Sequence, residues 1–392
     1  MPSSAWTRRG SRTTTATAGS CPTSCAACSG HEYPEEPVTT VDPAALTDAA
    51  ARILTSRGVP EADARLVGDS LVTADLWGHP SHGMLRLSWY VARLRSGVMH
   101  AVTDPRIVSD LGAVTVLDGD DGIGQIVTDR AASLAVVRAA EHGVGVVAVR
   151  NSNHFGTAAY WTRRIAAAGC VGILTTNGSP AMAPWGGRRK TVGANPWSIA
   201  TPGGTHGPVV LDIANTEVAR GKIYAALQRG EGIPRGWAVD VDGAPTTDPR
   251  AAIDGTLAPM AGHKGYGISF MMDVLSGVLT GSSYATDVVG PYVPDRRSGC
   301  GHLVLALRVD AVLDPGLFGE RLDDLVATTK AVPLVEGADE IFHPGEIETR
   351  AEARGRVDGV DLPAKTLAEL HQLAAGCGVV LDLPHPEAST PP

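Results

Sequence analysis

Apolar and polar positions change their spacing along the chain, and the change predicts a helical opening segment followed by an α/β body. Asp42 and Pro43 are typical of a helix N-cap and a first helical position, and they predict a helix to about Ser56. Apolar residues then recur at helical spacing over residues 61–76 and 84–94. From Ile107 short β-rich runs alternate with helices, which is typical of an α/β protein.

The α/β body is predicted without internal repeats, and its elements follow from the same patterns. The predicted strands are residues 113–117, 144–149, 171–176, 209–213 and 302–307. The predicted helices are residues 125–142, 155–169, 217–229, 265–279, 318–330 and 363–377.

Charge and composition exclude several classes of protein. The chain has 392 residues, with 33 Lys and Arg against 42 Asp and Glu and no basic stripe, which argues against a nucleic-acid partner. No run approaches the roughly 18 uninterrupted apolar residues of a membrane span, and no signal-like start is present, so we expect a cytoplasmic protein. Cys170, Cys300 and Cys377 stand singly in apolar sequence, where buried thiols are expected rather than disulfides.

Residues 1–37 show no helical or strand periodicity and are predicted to be a disordered extension. Cys21, Cys25, Cys28 and His31 lie within it at a spacing that superficially resembles an iron–sulfur or small zinc site. Since no hydrophobic framework surrounds them, we expect no metal, and we interpret the extension as an over-extended reading frame whose true start lies near Val38. A metal-dependent protein stays as an alternative, testable by elemental analysis.

Three segments of the chain resemble, to different degrees, the phosphate-binding patterns of proteins that hold a dinucleotide cofactor. Residues 143–148 approach a Rossmann fingerprint, but they form the start of a strand instead of opening a helix, and no acidic residue follows about 20 positions on. Residues 262–267, a Gly-rich turn before an apolar helix, fit better because Lys264 would meet an anion at the helix N-terminus; a plain capped helix start explains them equally well. Residues 211–216, where a strand runs into a helix, are a second candidate.

Eight segments in register resemble the malate/L-lactate dehydrogenase family of the second type, which is unrelated to the Rossmann lactate and malate dehydrogenases. The resemblance covers residues 40–385. The segments are Ser81-His82-Gly83-Met84-Leu85-Arg86, Ser152-Asn153-His154-Phe155-Gly156, Pro184-Trp185-Gly186-Gly187, Gly193-Ala194-Asn195-Pro196, Leu211-Asp212-Ile213-Ala214, Ala219-Arg220-Gly221-Lys222-Ile223, Gly262-His263-Lys264-Gly265-Tyr266-Gly267 and Pro344-Gly345-Glu346.

The resemblance implies a non-Rossmann α/β fold, with a mixed-sheet cofactor domain and a second lobe formed from both chain ends. The implied division is an N-terminal helical part at 38–115, a cofactor-binding domain at 116–300, and a C-terminal part at 301–392 that returns to the catalytic lobe and the cofactor site. It also implies a homodimer whose active site lies near the interface. The implied activity is hydride transfer between NAD or NADP and a small 2-oxo or 2-hydroxy acid of malate, lactate, sulfolactate, ureidoglycolate or sugar-acid type.

The resemblance also implies roles for the residues that match the family's motifs. His82 becomes the proton donor, oriented by Ser81, and both are assigned as catalytic. Arg86, Ala194, Arg220 and Gly221 are assigned to the substrate, whose carboxylate suits a guanidinium. The residues assigned to the cofactor are His154, Phe155, Gly156, Thr157, Ala158, Asp212, Ile213, Ala214, His263, Lys264, Asp339, Glu340, Ile341, Phe342, His343, Pro344 and Gly345.

Three alternatives stay open. His154 is the rival proton donor. A cyclic imino-acid reductase is the alternative activity, and a catalytically silent binding homologue is the alternative class. Two departures from the family pattern, Ala194 in place of a threonine and residues 215–217 after Asp212, leave the substrate open, and the sequence does not decide between NAD and NADP.

Overall fold

The structure is a computed structural model that describes residues 38–385. The predicted disordered extension and its Cys21–His31 cluster lie outside the described residues. Within residues 38–385, no helix is both long and apolar enough to cross a membrane.

The helices follow the predicted order. They are α1 (Pro43–Thr55), α2 (Glu61–Leu76), α3 (Leu87–Ser96), α4 (Gly124–His142), α5 (Ala158–Ala167), α6 (Arg220–Arg229), α7 (Pro249–Asp254), α8 (His263–Asp273), α9 (Pro315–Lys330), α10 (Glu346–Asp358) and α11 (Ala364–Ala375). As expected, α1 is capped by Asp42, whose side chain accepts a hydrogen bond from the amide of Ala45, and Pro43 is its first residue.

The strands form three sheets. They are β1 (Val38–Val41), β2 (Arg106–Asp110), β3 (Val114–Asp118), β4 (Val144–Ser152), β5 (Cys170–Thr176), β6 (Pro180–Met182), β7 (Val192–Gly193), β8 (Trp197–Gly204), β9 (Gly207–Ile213), β10 (Ala238–Val239), β11 (Thr256–Leu257), β12 (Cys300–Arg308) and β13 (Val360–Pro363). The largest sheet has the order β2-β3-β4-β12-β5-β8-β9, and its pairs are antiparallel except for β3 with β4. This mixed sheet confirms the predicted fold class.

Both ends of the described chain meet in one lobe. Strand β1 pairs with β13 in antiparallel register, from Val38 opposite Pro363 to Val41 opposite Val360. The apolar core beneath this pair combines residues of α1 and α2, such as Leu46 and Leu71, with Leu367 and Leu370 of α11. A separate core lies under the large sheet and packs α4 and α5 against it. A third, smaller core joins α6 and α7 to the sheet β10-β11-β6-β7.

Some predicted boundaries were wrong for identifiable reasons. Helix α6 starts at Arg220 rather than Glu217, because the amide of Glu217 donates to the carbonyl of Ala258 and Thr216 bridges Pro259. The helix predicted over 155–169 starts only at Ala158. The predicted helix 265–279 is α8 followed by a π-turn, Val274–Val278. Helix α10 was not predicted, because its exposed sequence lacks an apolar periodicity.

The proposed division into domains stays a prediction. Its boundary after residue 300 falls within β12, which lies between β4 and β5 in the middle of the large sheet. Residues 301–308 therefore contribute to the sheet before the chain continues into α9, α10 and the lobe that contains β13.

Candidate active site

The Ser81-His82-Gly83 segment is held at the end of α2 by a buried carboxylate. Two short 3₁₀ turns, Pro80–His82 and Met84–Arg86, join at Gly83. The carboxylate of Asp75 accepts a hydrogen bond of 2.8 Å from the amide of Met84 and packs directly against Gly83, where a Cβ would collide with it. Burial raises the pKa of Asp75 to about 7, although the Met84 amide opposes the change.

His82 and Ser81 form the hydrogen bond expected of an oriented imidazole. Ser81 Oγ lies 2.9 Å from His82 Nδ1, so the ring's Nε2 is the nitrogen left for proton exchange. Burial lowers the pKa of His82 to about 4, and the positive charges of Arg86 and His79 add to the effect. His82 is therefore neutral at pH 7 in the absence of ligand, which is the form that can accept a proton.

Arg86 lies on the same short segment and is fixed from two sides. Its Nε donates to the backbone carbonyl of Ser81, and its guanidinium lies 3.8 Å from the centroid of the Trp89 ring. These contacts hold a positive charge beside His82 while leaving other guanidinium donors for an anion. Arg86 and His82 thus lie close enough together for the charge of Arg86 to act on the imidazole.

His154, the rival histidine, lies beside His82. The loop after β4 carries it, and the two imidazole rings stack with centroids 5.7 Å apart. Its Nδ1 lies 2.8 Å from the hydroxyl of Tyr90, a buried residue of α3. Burial lowers the pKa of His154 well below its usual range, and His82, Arg86 and His302 lower it further. One region therefore contains both histidines between which the sequence could not decide.

Arg86 forms one cationic wall of this region, and the N-terminus of α6, which carries Arg220, forms a second. A Cβ on Gly221 would lie 3.6 Å from the Cβ of Ser81, so the Arg220-Gly221 pair borders the Ser81-His82 turn. The guanidinium of Arg220 donates to the carbonyl of Pro180 at 2.7 Å and also hydrogen-bonds Tyr292. The Tyr292 ring in turn meets Trp89 edge-on, with centroids 5.9 Å apart.

Lys190 is a residue of this wall that the sequence analysis missed. Together with Arg220 it lines a small cavity between α6 and α7, and its ammonium donates to the carbonyl of Ile253 at 2.7 Å. Partial burial lowers the pKa of Lys190, and the charge of Arg220 contributes. The run Arg188-Arg189-Lys190 was the available signal, but a basic run is more often solvated, and only the fold shows which member turns inward.

A cavity of about 180 Å³ is lined in part by residues that were predicted to bind the cofactor. Its lining combines predicted cofactor residues with residues just before the Ser81-His82 turn: Trp77, His79, Ala159, Arg163, Val210, Leu211, Asp212, Pro344, Gly345 and Glu348. Asp212, at the end of β9, accepts a hydrogen bond of 2.7 Å from the amide of Ala159 in the first turn of α5. Burial raises the pKa of Asp212 to about 6, with backbone amides opposing it.

Two further observations make this region suitable for a nucleotide. The hydroxyl of Thr157 is buried at the N-terminus of α5 and has no hydrogen-bond partner within residues 38–385, so a bound polar group would satisfy it. Arg163 donates to the carbonyl of Gly345 and packs over the Trp77 ring. The loop before α10 is thereby joined to α5, and the residues present fit a nicotinamide dinucleotide.

The Gly-rich start of α8 packs against the loop after β9, which in turn hydrogen-bonds the predicted substrate segment around Ala194. A Cβ on Gly265 would collide with the carbonyl of Met260 and approach that of Asn215, so only glycine permits this close approach. The amide of Asn215 donates to the carbonyl of Ala194 at 3.0 Å, which connects the predicted substrate segment to the loop after β9. His263 and Lys264 stand on the exposed side of this junction, where the helix N-terminus points to solvent.

Other predicted cofactor residues have structural contacts instead of lining the cavity. Glu340 pairs with Lys330 and Arg350, and Phe342 packs against the same two cations. Phe155 is buried edge-on against His302. The remaining predicted residues do not line the cavity: Ile213 at the end of β9, Ala214 directly after it, and Asp339, Ile341 and His343 in the segment between α9 and α10. Within the described range no group of His, Cys, Asp and Glu is arranged to bind a metal ion.

Comparison with known proteins defines the class. The sequence profile of the malate/L-lactate dehydrogenase family matches residues 41–371. The chain is 39% identical over 330 residues to L-sulfolactate dehydrogenase of Methanocaldococcus jannaschii, covering 84% of this chain and 95% of that protein. It is 36% identical over 329 residues to (2R)-3-sulfolactate dehydrogenase (NADP(+)) of Chromohalobacter salexigens, covering 83% and 95%.

The solved structure of the M. jannaschii sulfolactate dehydrogenase superposes on this fold with a TM-score of 0.83 at 38% identity, covering 88% of this chain and 99% of that one. The fold is thus that of a dehydrogenase. The chain belongs to the malate/L-lactate dehydrogenase family, whose dehydrogenases use NAD(P). The predicted family, fold class, enzyme class and type of cofactor are confirmed.

Proposed function

We propose that this enzyme interconverts a small 2-oxo acid and its 2-hydroxy acid, that His82 exchanges the proton, and that the preferred substrate carries a second anionic group. The observation that carries the proposal is that Arg86 bonds to the Ser81-His82 turn, while the N-terminus of α6, which borders this turn at Gly221, carries Arg220 in a cavity shared with Lys190. A single carboxylate needs one guanidinium, whereas a dicarboxylate or a sulfo-carboxylate matches two or three cations. The names of the sulfolactate-specific relatives support the same substrate class.

The protein's own residues account for the acid–base step. A bound nicotinamide supplies or accepts the hydride. During oxidation, neutral His82 takes the hydroxyl proton on Nε2 while Ser81 holds Nδ1. A substrate carboxylate bound to Arg86 offsets the positive charge that lowers the pKa of His82. Substrate binding therefore raises the pKa in part, since burial remains its larger cause, and the raised pKa helps the same ring to hold and donate a proton during reduction.

The two cationic walls would orient the substrate. Arg86, fixed by Trp89 and the Ser81 carbonyl, would bind the carboxylate next to the reacting carbon, and Arg220 with Lys190 would bind the distal anion. The Trp89 and Tyr292 rings lie between these walls and would exclude water from the reacting carbon.

The test is a screen of full-length enzyme with NADH and NADPH, in which the loss of cofactor absorbance is followed. Oxaloacetate and 3-sulfopyruvate are the dianionic substrates, pyruvate is the monoanionic one, and Δ1-piperideine-2-carboxylate represents the cyclic imines. We expect kcat/KM for a dianion to exceed that for pyruvate by about 10-fold or more. Higher activity with the imine, or no turnover of any 2-oxo acid, would reject the proposal.

A matched pair of variants tests the assignment of Lys190. Lys190→Met should remove most of the preference for dianions while leaving kcat/KM for pyruvate nearly unchanged. Arg188→Met is the control, because the exposed Arg188 pairs with Asp242 outside the cationic wall. If both variants retain the dianion preference, Lys190 does not contact the substrate.

We also propose a cytoplasmic homodimer. Among the described cysteines, Cys170, Cys300 and Cys377 are free thiols, as is typical of a reducing compartment. Apolar side chains on α8 and directly after the π-turn are strongly exposed, with Phe270 at 49% and Leu279 at 62%. Such a patch is typical of a subunit interface. Light scattering after size exclusion should give a dimer mass, and Phe270→Glu combined with Leu279→Lys should give a monomer mass.

A further inference from the structure

The environment of His154 determines which of its ring nitrogens carries the proton. Two groups lie at Nδ1: the hydroxyl of Tyr90 at 2.8 Å and the backbone amide nitrogen of Gly156 at 3.3 Å. A backbone N–H can only donate, so Nδ1 must offer a lone pair. The proton of the neutral imidazole is therefore on Nε2.

Tyr90 strengthens this arrangement because its phenol is able to donate the hydrogen bond that Nδ1 accepts. With Nδ1 as an acceptor, the Tyr90 hydroxyl donates to it. The hydroxyl oxygen keeps its lone pairs and lies near the carboxamide of Gln125, a fully buried residue of α4 whose amide nitrogen has no hydrogen-bond partner within residues 38–385. Burial also raises the pKa of Tyr90, so the phenol keeps the proton that it donates.

The surroundings also disfavour a charged His154. A proton on Nδ1 would break both hydrogen bonds and place a cation near Arg86, His82 and His302, which already lower the pKa of this histidine. On the opposite side of the ring, no protein group within residues 38–385 hydrogen-bonds to Nε2. The Nε2–H is thus left for a molecule bound next to His82.

We propose that Tyr90 is a positioning residue: together with the Gly156 amide it fixes His154 as the Nε2–H tautomer, which donates a hydrogen bond to the bound substrate or cofactor and does not accept a proton. The two stacked histidines then have different roles, since His82 exchanges the proton and His154 donates a hydrogen bond without changing its protonation. The tautomer itself follows from the contacts of His154; only the identity of the bound molecule rests on the proposed function.

The direct test is ¹⁵N NMR of full-length protein labelled in its histidine rings, with the His154 signals assigned by their loss in His154→Gln. Wild type should show an unprotonated Nδ1 and a protonated Nε2 between pH 6 and pH 8. Tyr90→Phe should populate the Nδ1–H tautomer and lower kcat by about 10-fold, with little change in the cofactor's KM. A protonated Nδ1 in wild type, or an unchanged tautomer and kcat in Tyr90→Phe, would overturn the proposal.

Tyr160→Phe is the matched control. Tyr160 is also a buried tyrosine whose hydroxyl bonds to a side chain, but it donates to Asp69 rather than to a histidine. This variant should leave the His154 signals and kcat as in wild type. A loss of kcat equal to that of Tyr90→Phe would mean that removal of any buried hydroxyl impairs the enzyme, and the positioning role would be rejected.

A double-mutant cycle provides a second test of whether Tyr90 acts through His154. In His154→Gln the side-chain amide offers an N–H near the position of Nε2 but has no ring nitrogen for Tyr90 to fix. Tyr90→Phe should therefore cause no further loss of kcat in that background. A persistent loss of about 10-fold would show that Tyr90 acts by another route. Because the NMR signals are read without substrate, failure to find a 2-oxo acid substrate would not be mistaken for failure of this proposal.

Discussion

The carboxylate of Asp75 occupies the space that a side chain on Gly83 would need. Asp75 also accepts the Met84 amide, so one buried group from α2 determines where the turn carrying His82 lies. The glycine of this motif is therefore required for steric reasons, because it allows a helix side chain to approach the backbone closely.

Substitution of Gly83 should accordingly affect both stability and turnover. Gly83→Ala forces the Asp75 carboxylate or the turn to move, and we expect a loss of about 2–4 kcal/mol of unfolding free energy and a reduced kcat. Urea unfolding and steady-state rates provide the measurement. Gly319→Ala in α9 is the control, since a Cβ there makes only ordinary contact and should be neutral or slightly stabilising. Wild-type values for Gly83→Ala would contradict this account.

Asp75 should also impose a pH dependence on stability. The folded protein keeps its proton up to a pKa of about 7, whereas the unfolded chain releases it near 3.8. Between these values the folded state binds more protons, so this residue's contribution to the unfolding free energy falls as pH rises from about 4 to 7. Asp75→Asn removes the effect. Its stability relative to wild type should increase by about 2–4 kcal/mol between pH 4 and pH 8.

Urea unfolding midpoints across this pH range would measure the difference. Comparison with the variant is necessary because buried His82 and His302, whose pKa values burial lowers to about 4 and about 3, change stability in the opposite direction. The exposed Asp324→Asn serves as the control. A constant difference between Asp75→Asn and wild type would show that folding does not raise the pKa of Asp75.

Replacement of His82 tests the proposed chemistry. His82→Ala removes the proton-exchanging group and should lower kcat by about 10²- to 10⁴-fold while cofactor affinity survives. Ser81→Ala should fall between that variant and wild type, because a less well oriented imidazole still transfers protons. Cofactor affinity can be measured by fluorescence titration. Near-normal turnover in His82→Ala, with severe loss in His154→Gln, would assign the proton exchange to His154.

Lys264 is expected to serve the cofactor. It stands exposed at the first turn of α8, where a phosphate would be favoured by the helix N-terminus. Lys264→Ala should raise the apparent KM of the cofactor by about 10-fold and leave the KM of the 2-oxo acid within twofold. If only the 2-oxo acid's KM changes, the residue belongs to the substrate site.

The sequence predicted the order of the elements and brought the residues of the candidate catalytic segment together, because both depend on local patterns. Apolar spacing predicted α2 with its observed bounds, and the short separation of Ser81, His82 and Arg86 kept them together in space. Lys190 was missed because its approach to Arg220 depends on how α6 packs against the small sheet. The contact between Tyr90 and His154 joins residues 64 positions apart, and no local pattern reveals it.

The position of β12 has a consequence for synthesis of the protein. This strand is the last of the large sheet to be translated, yet it pairs with β4 on one side and β5 on the other. Until residue 308 has left the ribosome, the earlier strands expose two unpaired edges, and the sheet can close only by pairing residues more than 120 positions apart. Nascent chains that end before β12 should therefore aggregate and depend on chaperones, whereas completed chains bury both edges in a single late step.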